Sequence, residues 1–359
     1  MTWIGLRDAN THQFSLAGIA ARGLRSPRFA EDALLKRGSL QMELAYTPSP
    51  RRQVLLDHRC ETPWPVHLRV TMTPDAVLHF DLRCGSERSY MCLQTGLTDT
   101  ERAVELVYSW HAPDRTALLS LHLPYTGRSL HRAMYDPPPF PLTALQSLVA
   151  DTAPSPALTY LAVSTDIEPV GPSPSLAGNA IIETPSGPRY VAHIKAGDLV
   201  LCHDGRPRPV LWAGHRDVPA RGRFRPIRLR APYFGLRHDT VVAPTQHIAF
   251  DGPDVEYLFG EERVLVSANH AVTGSVQAIR DTRKHVMRYH QLLLQDHAII
   301  RIGGTLGESL FLGALAADDM ALNASIWSGT DLCNIPQHQN VAAPVLKQYE
   351  AVTLTRAFV

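Results

Sequence analysis

The apolar residues of this chain alternate, and that alternation limits the fold more than any other feature. Runs such as SLQMELAY (39–46), HLRVTMT (67–73), VLHFDLRC (77–84), VELVYSW (104–110) and ALLSLHL (117–123) put apolar side chains mainly at every second position. Pro, Asp, Gly or Arg clusters bound each run. A period of two lines one face of a strand with apolar groups. The pattern predicts an antiparallel β-sandwich over residues 1–165, with one face of each strand buried. The 28 prolines and 23 glycines favour the same class, because they suit short strands and tight turns better than long helices. One segment departs from the pattern: PLTALQSLVADTA predicts a short helix near residues 141–153.

A chain of 359 residues has room for about two domains. Lys and Arg total 35 against 34 Asp and Glu, and so small an excess disfavours nucleic acid as a partner. The five cysteines, Cys60, Cys84, Cys92, Cys202 and Cys333, are odd in number and form no C-x-x-C. That spacing argues against a disulfide framework or structural zinc and favours a reducing compartment. The first residues lack a basic segment followed by an apolar core, and no apolar run reaches the length of a membrane span. The expected location is therefore the cytoplasm, or the exterior by a route without a classical signal peptide.

Residues 168–179, EPVGPSPSLAGN, carry three prolines and two glycines without periodicity. They predict an exposed, extended linker, assigned to residues 166–178. From residue 179 to about 313 the strand pattern resumes, giving a second domain over residues 179–359 with a C-terminal tail. HDGR (203–206) predicts a hairpin turn. Trp212 alternates with Val210 in PVLWAG and is expected to face the core.

The stretch NAIIETPSGPRYVAHIKAGDLVLCHDGRPRPVLWAG (179–214) carries a T-P-x-G turn, then x-G-D-x-V-L, then P-V-x-W-x-G. It resembles the opening hairpins of the bacterial Hint (hedgehog/intein) family, whose members cut or rearrange their own backbone. Further blocks match in order: PIRLRAPYFG (226–235), DTVVAPTQHIAF (239–250), VEYLFGEERVLVSANHAV (255–272), read as a strand pair, and YHQLLLQDHAIIRIGGTLGESLFLG (289–313). QYEAVTL near the C-terminus is similar to the family's Tyr-Glu-Ala before a last strand. The resemblance implies a Hint-type all-β horseshoe over roughly residues 175–355. YSWHAPDRTALLSL (108–121) resembles a strand pair of the lectin-like sandwich that often precedes bacterial Hint regions.

The family's chemistry needs a nucleophile, a His and Thr that polarise and protonate the scissile amide, and a further organising polar group. Family spacing places the nucleophile seven residues before Ile182, at Ser175, so Pro174–Ser175 is the candidate scissile bond. Seven residues after Asp239 the family's His is replaced by Gln246. Thr245 and His247 flank that position and fill the roles only if a bulge shifts the register. His297 matches a family position, and counting back from it puts Gln291 where another His is usual. His270 also matches. The resemblance thus nominates Ser175, Asp239, Thr245, His247, His270 and His297 as site residues.

No cofactor is expected, since GTLG (304–307) lacks the G-K-[ST] of a phosphate loop. No metal is expected either, because His285, His290 and His297 have no ligand-type spacing. Three functions remain open. One is a Hint protein whose autoprocessing site is degenerate, acting as a scaffold or interaction module. Another is active self-cleavage by N–O acyl shift at Pro174–Ser175. The third is binding of a carbohydrate or protein partner through the N-terminal sandwich.

Overall fold

The computed structural model describes residues 3–20, 27–61, 64–97, 103–124, 126–151, 155–272, 276–330 and 335–357. Cys333 and the last two residues of the expected 141–153 helix lie outside them. The fold is mostly β, and the chain divides into two compact units. The first is Met1–Gly171 with Met320–Ser328, and the second is Pro172–Asp319 with Gly329–Val359.

In the first unit two antiparallel sheets share one core. The larger has seven strands in the order Ser129–Tyr135, Thr116–His122, Ala103–His111, Arg37–Ala45, Leu158–Ser164, Trp3–Arg7 and His12–Phe14. The smaller is a meander of Gln53–Cys60, Val66–Met72, Val77–Cys84 and Glu87–Gln94. Leu40 and Met42 from the first sheet and Leu68, Phe80 and Leu82 from the second meet in that core. Tyr108 and Trp110 stack within it, and the Trp110 indole donates to Leu35 O at 3.0 Å. The expected helix forms at Leu142–Asp151 and packs Leu145 and Leu148 against the same core.

The expectation that each strand buries only one face fails at the centre of the larger sheet. Gln41 and Glu105 alternate away from the core residues, yet both are fully buried. Gln41 Nε2 donates to Glu105 Oε1 at 2.9 Å and to the Tyr160 hydroxyl at 2.7 Å. Buried polar groups of this kind must pair with one another, because neither face offers them water. The Pro-rich segment is not an exposed connector either. Glu168 N–H donates to Ser39 Oγ, Val170 N–H donates to Ala324 O, and Pro174 through Ala177 are buried. Its prolines limit which backbone groups can pair, and the N–H groups of Glu168, Val170 and Ser175 all donate to the fold.

The second unit is built from two six-stranded antiparallel sheets and a hairpin. One sheet runs Trp212–Pro219, Val286–Leu293, Leu176–Ala177, Thr240–Val242, Ile227–Leu229 and Ala278–Arg280. The other runs Gly187–Tyr190, Ile181–Thr184, Ile299–Ile302, Thr305–Glu308, His247–Asp251 and Arg263–Ser267. The hairpin Leu199–Leu201 with Pro207–Pro209 turns through HDGR, with Gly205 at φ +75°. Leu176, Ile182, Val242, Ile248, Leu292 and Ile300 form the centre of the core.

Three local expectations are corrected here. VEYLF is not a strand: Pro253–Phe259 is a helix, with Pro at its start and Gly260 in the left-handed conformation at its end. The C-terminal QYEAVTL is also helical, at Gln348–Ala357. Glu350 reaches back to accept from Lys347 N–H at 2.8 Å, a side-chain cap for the first turn. Trp212 is half-buried rather than central. Its indole lies over Gly214, where an added Cβ would meet the ring at 2.0 Å, so the strand needs glycine there. No helix among the described residues is long and apolar enough to cross a membrane.

Candidate functional site

Ser175 precedes the short strand Leu176–Ala177, which pairs on one side with Val286–Leu293 and on the other with Thr240–Val242. Its backbone is held from both sides. The Ser175 N–H donates to His290 O at 3.3 Å, and its carbonyl accepts from Ala243 N–H at 2.7 Å. This places the side chain, 4% exposed, between the residue after His290 and the turn after Val242. Those positions are Gln291 and Gln246, 2% and 0% exposed.

The three side chains form a closed ring. Ser175 Oγ donates to Gln246 Oε1 at 2.5 Å, Gln291 Nε2 donates to Ser175 Oγ at 2.9 Å, and Gln291 Nε2 lies 3.1 Å from Gln246 Oε1. The far ends of the two amides fix which way each one points. Gln246 Nε2 donates to the carbonyls of His247 at 2.9 Å and Glu308 at 3.3 Å, so its oxygen must face Ser175. Gln291 Oε1 accepts from Leu292 N–H at 3.1 Å, so its NH2 must face Ser175. Every member of the ring is neutral and paired.

His247 is one residue past Gln246 and points the other way. The strand His247–Asp251 keeps regular register with Arg263–Ser267, His247 opposite Ser267, and no bulge returns its ring to Ser175. Its Nδ1 lies 2.6 Å from Glu308 Oε1, and Glu308 Oε2 lies 3.2 Å from His297 Nε2. His297 Nδ1 accepts from Ala342 N–H at 3.0 Å, which leaves its proton on the nitrogen facing Glu308. Burial alone would lower His247. The charge and hydrogen bond of Glu308 outweigh it, so His247 ends above its ordinary value. Burial likewise pushes Glu308 up, but His247 and His297 hold it down to about 2. A second polar cluster, this one ionisable, therefore backs onto the neutral ring.

The other nominated residues stand apart from Ser175. Asp239 is exposed, accepts from Ala231 N–H at 3.1 Å and lies 3.5 Å from Arg228. Thr245 is half-buried in the turn before Gln246. His270 sits in the helix Ala268–Ala271, and burial followed by the proximity of His247 lowers its pKa. His290, beside Ser175 in register, offers it a carbonyl and not its ring. That ring faces His215, 5.2 Å between centroids, and burial, His215 and Arg288 push it down to about 4. Among the described residues no three His, Cys, Asp or Glu side chains gather to hold a metal ion.

The structure thus brings together Ser175 and the two glutamines expected from the resemblance to replace histidines, and it gathers His247 and His297 around a different residue, Glu308. Glu308 drew no attention in the sequence. The available signal was a carboxylate set in the otherwise apolar alternation of GESLFLG.

The family model for the Hint domain matches residues 174–314, from the residue before Ser175 to just past Glu308. Among solved structures, the MchDnaB-1 intein is 15% identical, with 37% of this chain and 98% of that chain covered at a TM-score of 0.26. The gp41-1 intein is 11% identical, with 37% and 96% covered at 0.24. A bacterial intein-like domain from Clostridium thermocellum is 12% identical, with 38% and 99% covered at 0.25. No curated protein matches the chain. The chain carries a Hint domain, matched over residues 174–314.

Proposed function

We propose that this Hint domain does not process its own backbone and serves as a structural or interaction module. The observation that carries the reading is the neutral ring of Ser175, Gln246 and Gln291. An N–O acyl shift at Pro174–Ser175 would form a bond from Ser175 Oγ to the Pro174 carbonyl carbon and break the C–N bond. The hydroxyl proton would have to leave, and the Ser175 nitrogen would have to gain one. A carboxamide oxygen is a very weak base, and the hydroxyl proton is directed at one. The Ser175 N–H points to the carbonyl of His290, which has no proton to give. The nearest ionisable pair, His247 with Glu308, lies on the opposite face of Gln246's chain segment. General acid–base help typically contributes about 10²–10⁴-fold in rate, and neither step receives it from these groups.

The test is intact mass of the purified full chain after days at neutral pH, with and without hydroxylamine, which cleaves an accumulated ester. The expected result is one uncut species in both arms. Fragments beginning at Ser175 would refute the proposal. The complementary variant, Ser175→Cys with Gln246→His and Gln291→His, restores a thiol and two proton-transferring groups at the three positions that meet. It is expected to give dithiothreitol-dependent cleavage at Pro174–Ser175. A folded triple variant that stays intact would show that the ring is not what silences the site.

A further inference from the structure

The chain passes between its two units three times, after Gly171, after Asp319 and after Ser328. The middle piece, Met320–Ser328, lies within the sequence of the Hint half but belongs to the first unit. It holds the short helix Asp319–Asn323 from its second residue, followed by turns. Ala324 N–H donates to Met320 O at 3.0 Å, Ser325 N–H to Leu322 O at 3.0 Å, and Trp327 N–H to Ser325 Oγ at 3.2 Å. Two of its apolar side chains are removed from solvent, with Leu322 at 4% and Trp327 at 1% exposure. Its backbone is tied in as well, since Ala324 O accepts from Val170 N–H at 2.7 Å. Val170 is the end of a stretch that is itself bonded to the larger sheet through Glu168 N–H and Ser39 Oγ, 2.8 Å apart.

We infer that Met320–Ser328 is a built-in peptide ligand of the first unit, so that this unit and the Hint unit stay associated when the backbone between them is cut. A buried tryptophan and leucine on a pre-formed helix and turn are the kind of anchors that dominate peptide binding. The peptide also costs little entropy to dock, because the rest of the chain holds it near its site. The consequence is independent of whether Ser175 reacts. Cleavage anywhere from Gly171 to Ser175, by the chain itself or by a protease, would leave a nicked complex and would not free the N-terminal half. Residues 1–171 are then a receptor whose occupant is carried by the other half of the molecule.

The experiment uses the full chain with a site-specific protease sequence inserted between Gly171 and Pro172. After complete cutting, gel filtration without denaturant should show both fragments in one peak at the uncut volume. The same cut in a Leu322→Asp, Trp327→Asp variant should give two separate peaks, each with β-type circular dichroism. Separation of the cut chain without those changes would overturn the inference. A cut double variant that stays together would also overturn it, because some other contact would then hold the halves. If the double variant does not accumulate, Trp327→Ala serves alone. Loss of one buried anchor should speed separation on dilution about 30-fold or more, and an unchanged rate would overturn the inference equally.

Discussion

Two polar clusters lie back to back in the Hint unit, one residue apart along the chain, and they are opposite in kind. Around Gln246, a hydroxyl and two carboxamides close on one another with no charge. Around His247, a carboxylate is held between two imidazoles. Both are largely shielded from water. They differ in what a proton can do to them. The first has no group that titrates near neutrality. The second holds His247, raised above its ordinary value, against a carboxylate held well below its own. The contrast shows that the titratable chemistry in this neighbourhood is gathered around Glu308, on the face that Ser175 does not reach.

Removing Glu308 should break the contrast most strongly. Glu308→Ala leaves His247 without its carboxylate partner at 2.6 Å and His297 without its own at 3.2 Å. Taking one partner from a buried pair costs roughly 3–5 kcal/mol. Urea unfolding of the full chain should show a loss in that range for the transition of the Hint unit. A loss below about 1 kcal/mol, the value of an exposed pair, would mean that water enters the cluster and that the two sites are not so different.

The second effect is the pH dependence of that same loss. Glu308 is held down to about 2 in the folded chain, against an ordinary 4.5. Its contribution is therefore present above pH 4.5 and fades as pH falls towards 2. His247 is raised above its ordinary 6.5. Its contribution is present below pH 6.5 and fades as pH rises through the raised value. The two windows overlap between 4.5 and 6.5. The stability difference between the unchanged chain and Glu308→Ala should be largest there and shrink on both sides. Other histidines whose pKa burial lowers, such as His290 and His338, occur in both proteins and largely cancel. A difference that keeps growing up to pH 9 would reverse the sign assigned to His247.

Sequence reasoning reached these clusters unequally. Spacing from Asp239 and from His297 led to Gln246 and Gln291, and the fold does bring both to Ser175. Alternation also showed that His247 must face away from Gln246, because neighbouring side chains on a strand point to opposite faces. What it could not show was the partner on that far face. Glu308 is 61 residues from His247 and 11 from His297, and only strand pairing across the sheet joins them. The same limit applies to VEYLF. Its apolar pattern reads as a strand until the proline before it and the glycine after it are weighed as helix ends. It applies again to Met320–Ser328, whose composition gives no hint that it belongs with residues far earlier in the chain.

The smallest effect, and the sharpest check on the neutral side, comes from Ser175→Ala. The change deletes one hydroxyl and with it the bonds to Gln246 Oε1 and from Gln291 Nε2. The glutamines keep each other, since Gln291 Nε2 already lies 3.1 Å from Gln246 Oε1, and their outer bonds to backbone groups are untouched. One Gln291 N–H loses its acceptor, so the cost should be about 1–3 kcal/mol. Nothing in the ring gains or loses a proton between pH 4 and 9, so this cost should be flat over that range, unlike the cost of removing Glu308. Parallel urea titrations of the two variants at several pH values make the comparison directly. A Ser175→Ala cost that varies with pH would mean that a titrating group reaches the hydroxyl after all. The neutral ring would then be the wrong description of this site.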